Sequence, residues 1–149
     1  GLCALHSNYY SHEMLGQVPR TGDGYGFHTK GAPLRPLVKT HPETNRKSLY
    51  IGRHAYGIPG ITEEQSEKLL AELIDLAAQP PRVTEHHWQL GDLAIWDNRR
   101  VLHRVASYDY SQPRVMRHTR VAGNPATELA GTLPDVRATM YQPGQIALE

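Results

Sequence analysis

His103, which stands eleven residues before Arg114, raises a question of chemistry: it is either a metal ligand whose partners lie elsewhere or an ordinary strand histidine. Both residues stand in the stretch GDLAIWDNRRVLHRVASYDYSQPRVMRHTRVAG, Gly91 to Gly123. A neutral imidazole is a good ligand for iron, and a planar guanidinium grips a carboxylate through two parallel hydrogen bonds. Nine histidines in 149 residues invite a metal reading, but a lone histidine is more often exposed or hydrogen-bonded in a core. A ligand needs company. The 2-His-1-carboxylate facial triad of non-haem iron oxygenases places three protein donors on one face of an octahedron and leaves the other positions open. Its sequence form is His-x-Asp/Glu with a second histidine much later. His41-Pro42-Glu43 followed by His103 has that form, although so short a pattern also arises by chance. His86 and His87 are adjacent and, in a strand, would face opposite ways, so they make no ligand pair. Cys3 is the only cysteine. It fits a small apolar filler better than a nucleophile, and no intrachain disulfide can form.

These groups must be held by elements that the pattern predicts. The segment from Tyr9 to Pro36, which includes QVPRTGDGYGFHTKGAPLRP, is rich in Gly and Pro and reads as a long loop. Pro36–His41 and Ser48–Gly52 are short runs around PETNRK, which predicts a hairpin. Glu63–Ala78 reads as a helix: Thr62 and Gln65 have capping-box spacing, and Leu69, Leu70, Leu73, Ile74 and Ala77 form an apolar stripe, most simply a core face. Pro80-Pro81 stops it. Beyond lie four runs rich in Val, Thr, Trp and Leu: RVTEHHWQL, DLAIWD, RVLHRV and RVMRHTRVA. Gly91-Asp92, Asp97-Asn98 and Ser111-Gln112-Pro113 punctuate them, which predicts closely spaced strands of a sandwich or barrel. Trp96 reads as a core aromatic of such a strand. The stretch from Gly131 onward is irregular.

Length predicts one domain. With 16 basic and 15 acidic residues the formal charge is +1, so no basic surplus exists to track a phosphate backbone and nucleic acid is a poor partner. Small acidic molecules remain open. No run is long enough to span a membrane, and Gly1-Leu2-Cys3 lacks the basic and apolar regions of a signal peptide, so a cytoplasmic chain is expected. The first residue is not Met, and the opening residues read like the inside of an element, which suggests that a portion precedes them.

Three blocks, PLVKTHPETNRKSLYIG, GITEEQSEKLLAELIDLAAQ and HHWQLGDLAIWDNRRVLHRVASYDYSQPRVMRHTRVAG, together with GLCALHS at the start, resemble the C-terminal half of the TauD/TfdA family of Fe(II)- and 2-oxoglutarate-dependent dioxygenases. The GDLAIWDNRRVLHR block is similar to the aryloxyalkanoate branch. The resemblance implies a mainly β fold with a flanking helix, a double-stranded β-helix (jelly roll) that is incomplete and lacks its N-terminal strands. Residues 1–123 would be the C-terminal part of the dioxygenase domain and 124–149 a peripheral tail. His103 matches the distal iron-binding histidine, and Arg114 matches the arginine that binds the distal carboxylate of 2-oxoglutarate. The family's His-x-Asp lies upstream of the segment matching Gly1, so His41-Pro42-Glu43 would be a decoy whose job is to shape the turn before Arg46. Arg46 itself would be a hairpin ion-pair partner or a contact at the site mouth.

The family often has a second arginine four residues after the first, and His118 stands there. If this segment is a strand, Arg114, Met116, His118 and Arg120 share a face while Arg117 points away. His118 or Arg120 could then supply the missing contact. The activity implied is hydroxylation of a C–H bond of a small, acidic substrate (aryloxyalkanoate-, taurine- or sulfonate-like) with oxygen and 2-oxoglutarate. Two other readings stay open. One is a non-catalytic jelly-roll module that has lost the iron site. The other is an independent iron enzyme built on His41, Glu43 and His103. A homo-oligomer is also open.

Overall fold

Thr62 leaves its side chain free to accept from the Gln65 amide, and Gln65 reaches back to the Thr62 amide at 3.1 Å. This reciprocal cap starts the helix α2, Glu63–Ala77, with Glu63 and Glu64 in its positive first turn. At the other end Arg82 donates to the Leu76 carbonyl, which would otherwise lack a partner beyond the last turn. The predicted stripe is the buried face: Leu70 is fully packed, and Leu69, Leu73, Ile74 and Ala77 lie against the same core.

The computed structural model describes residues 1–17 and 32–131. In chain order it has β1 (Cys3–His6), α1 (Asn8–Glu13), β2 (Leu34–Pro36), β3 (Val38–Thr40), β4 (Lys47–Leu49), β5 (Ala55–Tyr56), α2, and α3 (Pro125–Glu128). Strands β2, β1 and β5 form an antiparallel sheet with β1 central, pairing Ala4 with Arg35 and His6 with Ala55. Alternation along β1 divides the apolar side chains between two clusters. Ala4 joins Leu37, Ile51, Ala55, Ile58 and Leu70, while Leu5 packs with Ala32 and Leu34, and Cys3 fills in beside them. No helix of the described residues is long and apolar enough to cross a membrane.

The hairpin forms where expected. β3 pairs with β4 through Val38–Leu49, Lys39–Ser48 and Thr40–Lys47, a shorter ladder than the two runs allowed. Its turn uses Asn45 at φ 55°, a left-handed conformation that Asn tolerates.

The long loop from Tyr9 to Pro36 needs correction at both ends. Ser7 caps α1 by accepting from the Tyr9 amide, so 8–13 are helical, and Leu34–Pro36 is a strand because β1 offers it a partner. Residues 18–31 of that segment lie outside the described ones.

A larger correction concerns the four strands expected after α2. Among the described residues none is found between Arg82 and Ala122. The punctuating turns do form: Asp92 donates to the Gln89 carbonyl, Arg100 to Asp97 and Gln112 to Asp109. A turn closes with one local hydrogen bond, whereas a strand exists only through a neighbour, and here no neighbour is at hand. Leu90, Leu93, Ile95, Val105, Val115 and Val121 are accordingly exposed. Trp96, expected in a core, is 47 % exposed for the same reason.

Candidate functional site

His103 follows the turn at Asp97–Arg100 and is exposed. Its ring lies 5.2 Å from that of Trp96 at 54°, and the Trp96 indole N–H donates to Asn98 Oδ1 at 2.7 Å. Arg114 is exposed, with its guanidinium carbon 4.8 Å from the centre of the Tyr108 ring, a cation–π contact across the Asp109–Gln112 turn. His118 and Arg120 are exposed too. No hydrogen bond, ion pair or ring contact joins His103, Arg114 and His118 to one another, and neither His103 nor Arg114 lines the cavity beside Tyr10 and Ile61 or the one beside His41 and Arg99. The strands expected over 100–105 and 114–122 are not formed among the described residues.

The turn before His103 is much better anchored. The Asp97 carboxylate accepts from Arg99 Nε and Nη2 at 2.9 Å each and from the Arg99 amide at 2.9 Å. It also meets His41 Nε2 at 2.9 Å. The Arg99 guanidinium first, and then the hydrogen bond with His41, hold the Asp97 carboxyl well below the usual carboxylate range. Ser48 on β4 donates to the Arg99 carbonyl at 2.8 Å.

His41 closes the hairpin: its amide donates to the Arg46 carbonyl and its carbonyl accepts from Asn45. The ring is buried, and Nδ1 accepts from the amides of Glu43 and Thr44 at 3.2 and 3.3 Å. The residue thus shapes its own turn. Arg46 contributes backbone only, and its side chain enters no ion pair among the described residues. His86 pairs with Asp92 at 3.0 Å and stands edge-on to Trp88, with no tie to His87.

A second polar cluster, unforeseen from sequence, lies on the His6 side of the sheet. The His6 ring stacks on Tyr50 at 5.0 Å and meets His54 at 5.0 Å, and neither of its buried nitrogens has a partner. Burial, and then the charges of His54, Arg35 and Lys39, push its pKa down to about 3. His54 is lowered by burial and Arg35. A side chain at Gly52 would fall 2.6 Å from the His54 ring, so this position must stay bare. Lys39 donates to the Glu128 carbonyl at 2.6 Å and so ties β3 to α3.

The chemistry that these residues can do is limited by their number. No group of three His, Cys, Asp or Glu able to hold a metal exists among the described residues. The exposed imidazoles, His86, His87, His103 and His118, are scattered along the chain, and a lone imidazole such as His103 does not make a three-donor site. Arg114 has the donor geometry to hold a carboxylate.

Comparison with known proteins adds what geometry alone lacks. The family model described as taurine catabolism dioxygenase TauD, TfdA family, matches residues 1–120. An (S)-phenoxypropionate/alpha-ketoglutarate-dioxygenase from Sphingobium herbicidovorans is 53 % identical over 133 residues, covering 87 % of this chain and 46 % of that protein. An alpha-ketoglutarate-dependent 2,4-dichlorophenoxyacetate dioxygenase from Burkholderia sp. strain RASC is 46 % identical over 126 residues, 83 % of this chain and 41 % of the relative. The crystal structure of AAD-2 in complex with Mn(II) and N-oxalylglycine superposes with a TM-score of 0.68 at 42 % identity, over 78 % of this chain and 45 % of that one. The chain thus spans less than half the length of the relatives it matches.

Proposed function

The chain belongs to the TauD, TfdA family of dioxygenases, and from that membership we propose that it is part of an Fe(II)- and 2-oxoglutarate-dependent oxidoreductase acting on a small, acidic organic substrate. The single observation that carries this reading is the match over residues 1–120, which takes in both His103 and Arg114 together with the turn between Trp96 and Arg100. Relatives named for phenoxypropionate and dichlorophenoxyacetate favour an aryloxyalkanoate over a taurine- or sulfonate-like substrate. Both relatives are named as dioxygenases, which favours an enzyme over a binding module.

In this reading residues 1–123 belong to an incomplete double-stranded β-helix and 124–149 to a peripheral tail. The end of the family match at residue 120 supports that boundary. The formed turns between unpaired segments 82–122 are what such strands would look like without the neighbours that complete their ladders.

Each residue then has a role that its chemistry allows. His103 contributes one nitrogen donor to the metal, with Trp96 against its ring restricting how it turns. Arg114 holds the distal carboxylate of 2-oxoglutarate in a two-point grip that fixes the cosubstrate's direction. With the 114–122 segment paired as a strand, His118 or Arg120 would supply the contact for which the family often uses a second arginine. The iron and 2-oxoglutarate supply the oxidation when bound. What falls to this chain is donor nitrogen, carboxylate binding and exclusion of water. One imidazole does not hold Fe(II) against water, so no step is assigned to the described residues by themselves.

The test is oxygen uptake and succinate release with iron, 2-oxoglutarate and ascorbate. It is run on the 149-residue chain and on the same chain joined behind the preceding segment of the Sphingobium relative. Turnover is expected only from the joined protein. Turnover by the chain alone would mean that the donor set is complete within these residues. Failure of a folded joined protein would move the reading to a binding module.

A further inference from the structure

The β3–β4 hairpin touches the turn that precedes His103 at two points, Ser48 with the Arg99 carbonyl and His41 with Asp97. The second contact has a defined polarity. Both Glu43 and Thr44 present amide N–H groups to His41 Nδ1, so that nitrogen is the acceptor and carries no proton. The ring proton therefore sits on Nε2, which donates to Asp97 Oδ2 at 2.9 Å. His41 is 6 % exposed, and a buried ring held at three points has one orientation. From it Asp97 is fixed, and Asp97 in turn orders the Arg99 amide and guanidinium. Trp96 directly precedes Asp97, reaches round to Asn98 through its indole N–H, and lies against the His103 ring.

We propose that His41 is a positioning residue for His103: through Asp97 it sets the 96–99 turn, and through Trp96 the orientation of the His103 imidazole. The proposal rests on the reading of His103 as a metal-binding residue for its importance, but not for its geometry. It gives a use to a histidine that sequence presents as half of a spurious His-x-Glu pair. It also explains why a turn on otherwise exposed chain should be tied to a buried ring 56 residues away.

Two isosteres separate the two ends of the ring. Asn has its carbonyl oxygen near the place of Nδ1, whereas Gln has its amide near that of Nε2. In His41→Asn the acceptor for Glu43 and Thr44 is kept and the donor to Asp97 is lost. In His41→Gln the donor is kept and the turn acceptor is lost. The measurement is the NMR position of the Trp96 indole N–H and the His103 ring C–H signals in the 149-residue chain, with the Val38–Thr40 and Lys47–Leu49 amides as the monitor of hairpin integrity. His41→Asn is expected to shift the Trp96 and His103 signals and leave the hairpin amides in place, and His41→Gln is expected to leave Trp96 and His103 unmoved. Asp97→Asn, which weakens the acceptor for both His41 and Arg99 at a partly exposed position, should reproduce the His41→Asn shifts and decides the matter if a His41 variant does not fold. Unmoved Trp96 and His103 signals in Asp97→Asn, or equal shifts in both His41 variants, would overturn the proposal. Failure of the metal reading shows separately, as absence of Mn(II)-induced broadening of the His103 signals in the joined protein while the variant shifts persist.

Discussion

Replacing His6 by Phe should make the chain less sensitive to acid. His6 is 7 % exposed and its two nitrogens are without partners, so a proton on the ring would be a buried charge beside Arg35, Lys39 and His54. Its pKa is about 3 in the folded chain, against 6.5 for an unperturbed histidine. The sign follows from proton counts: between those limits the unfolded chain binds a proton that the folded chain refuses, so stability falls as pH falls. Above about pH 6.5 both forms are neutral and nothing is lost. Below it the slope approaches about 1.4 kcal/mol per pH unit, or about 2 kcal/mol by pH 5. His54, lowered by burial and Arg35, works in the same direction and remains in the variant. Phe keeps a flat ring against Tyr50 and removes both the titration and the unpartnered nitrogens. Urea unfolding followed by circular dichroism at pH 7.5 and pH 5.0, for both chains, isolates the effect as a difference of differences in which the carboxylates cancel. The expected result is an acid loss smaller by about 2 kcal/mol in the Phe variant, with no loss of stability at pH 7.5. Equal acid losses in the two chains would refute the reasoning and mean that the ring reaches water or finds an acceptor.

Leu70→Ala should cost about 2–5 kcal/mol by urea unfolding, because Leu70 is the most deeply buried apolar side chain of α2 and packs in the core with Ile51 and Ile58. Thr62→Ala removes one half of the capping box and should cost about 1 kcal/mol, read from the same titration, with Thr62→Ser restoring most of it. In the joined protein Arg114→Ala should raise the KM for 2-oxoglutarate by roughly 10- to 100-fold, the loss of a charge-assisted pair of hydrogen bonds. An unchanged KM there would remove Arg114 from the cosubstrate's binding place.

What sequence alone decided was everything settled within a few residues of chain. The stripe and the capping box of α2 are local patterns, and the helix runs from Glu63 to Ala77, one residue short of the expected end. The turns at Gly91-Asp92, Asp97-Asn98 and Ser111-Gln112 close through single hydrogen bonds between near neighbours, and the hairpin joins two runs separated by one turn. The family was legible too, because it is carried by residue types in order and spacing, which do not depend on the chain being paired. α1 could have been read from Ser7, whose position before Asn8-Tyr9-Tyr10 is that of a cap. Tertiary structure decided the rest. Whether residues 82–122 become strands depends on neighbours that no local pattern supplies, and without them Trp96 is exposed, not buried. The contact of His41 with Asp97 joins residues 56 apart, and the cluster of His6, Tyr50 and His54 draws on β1, the residue after β4 and the residue before β5. In both cases the side chain's chemistry is set by what lies across space from it: an imidazole is a ligand, a turn-former or a buried neutral ring according to which groups face its two nitrogens, and that choice is made by folding.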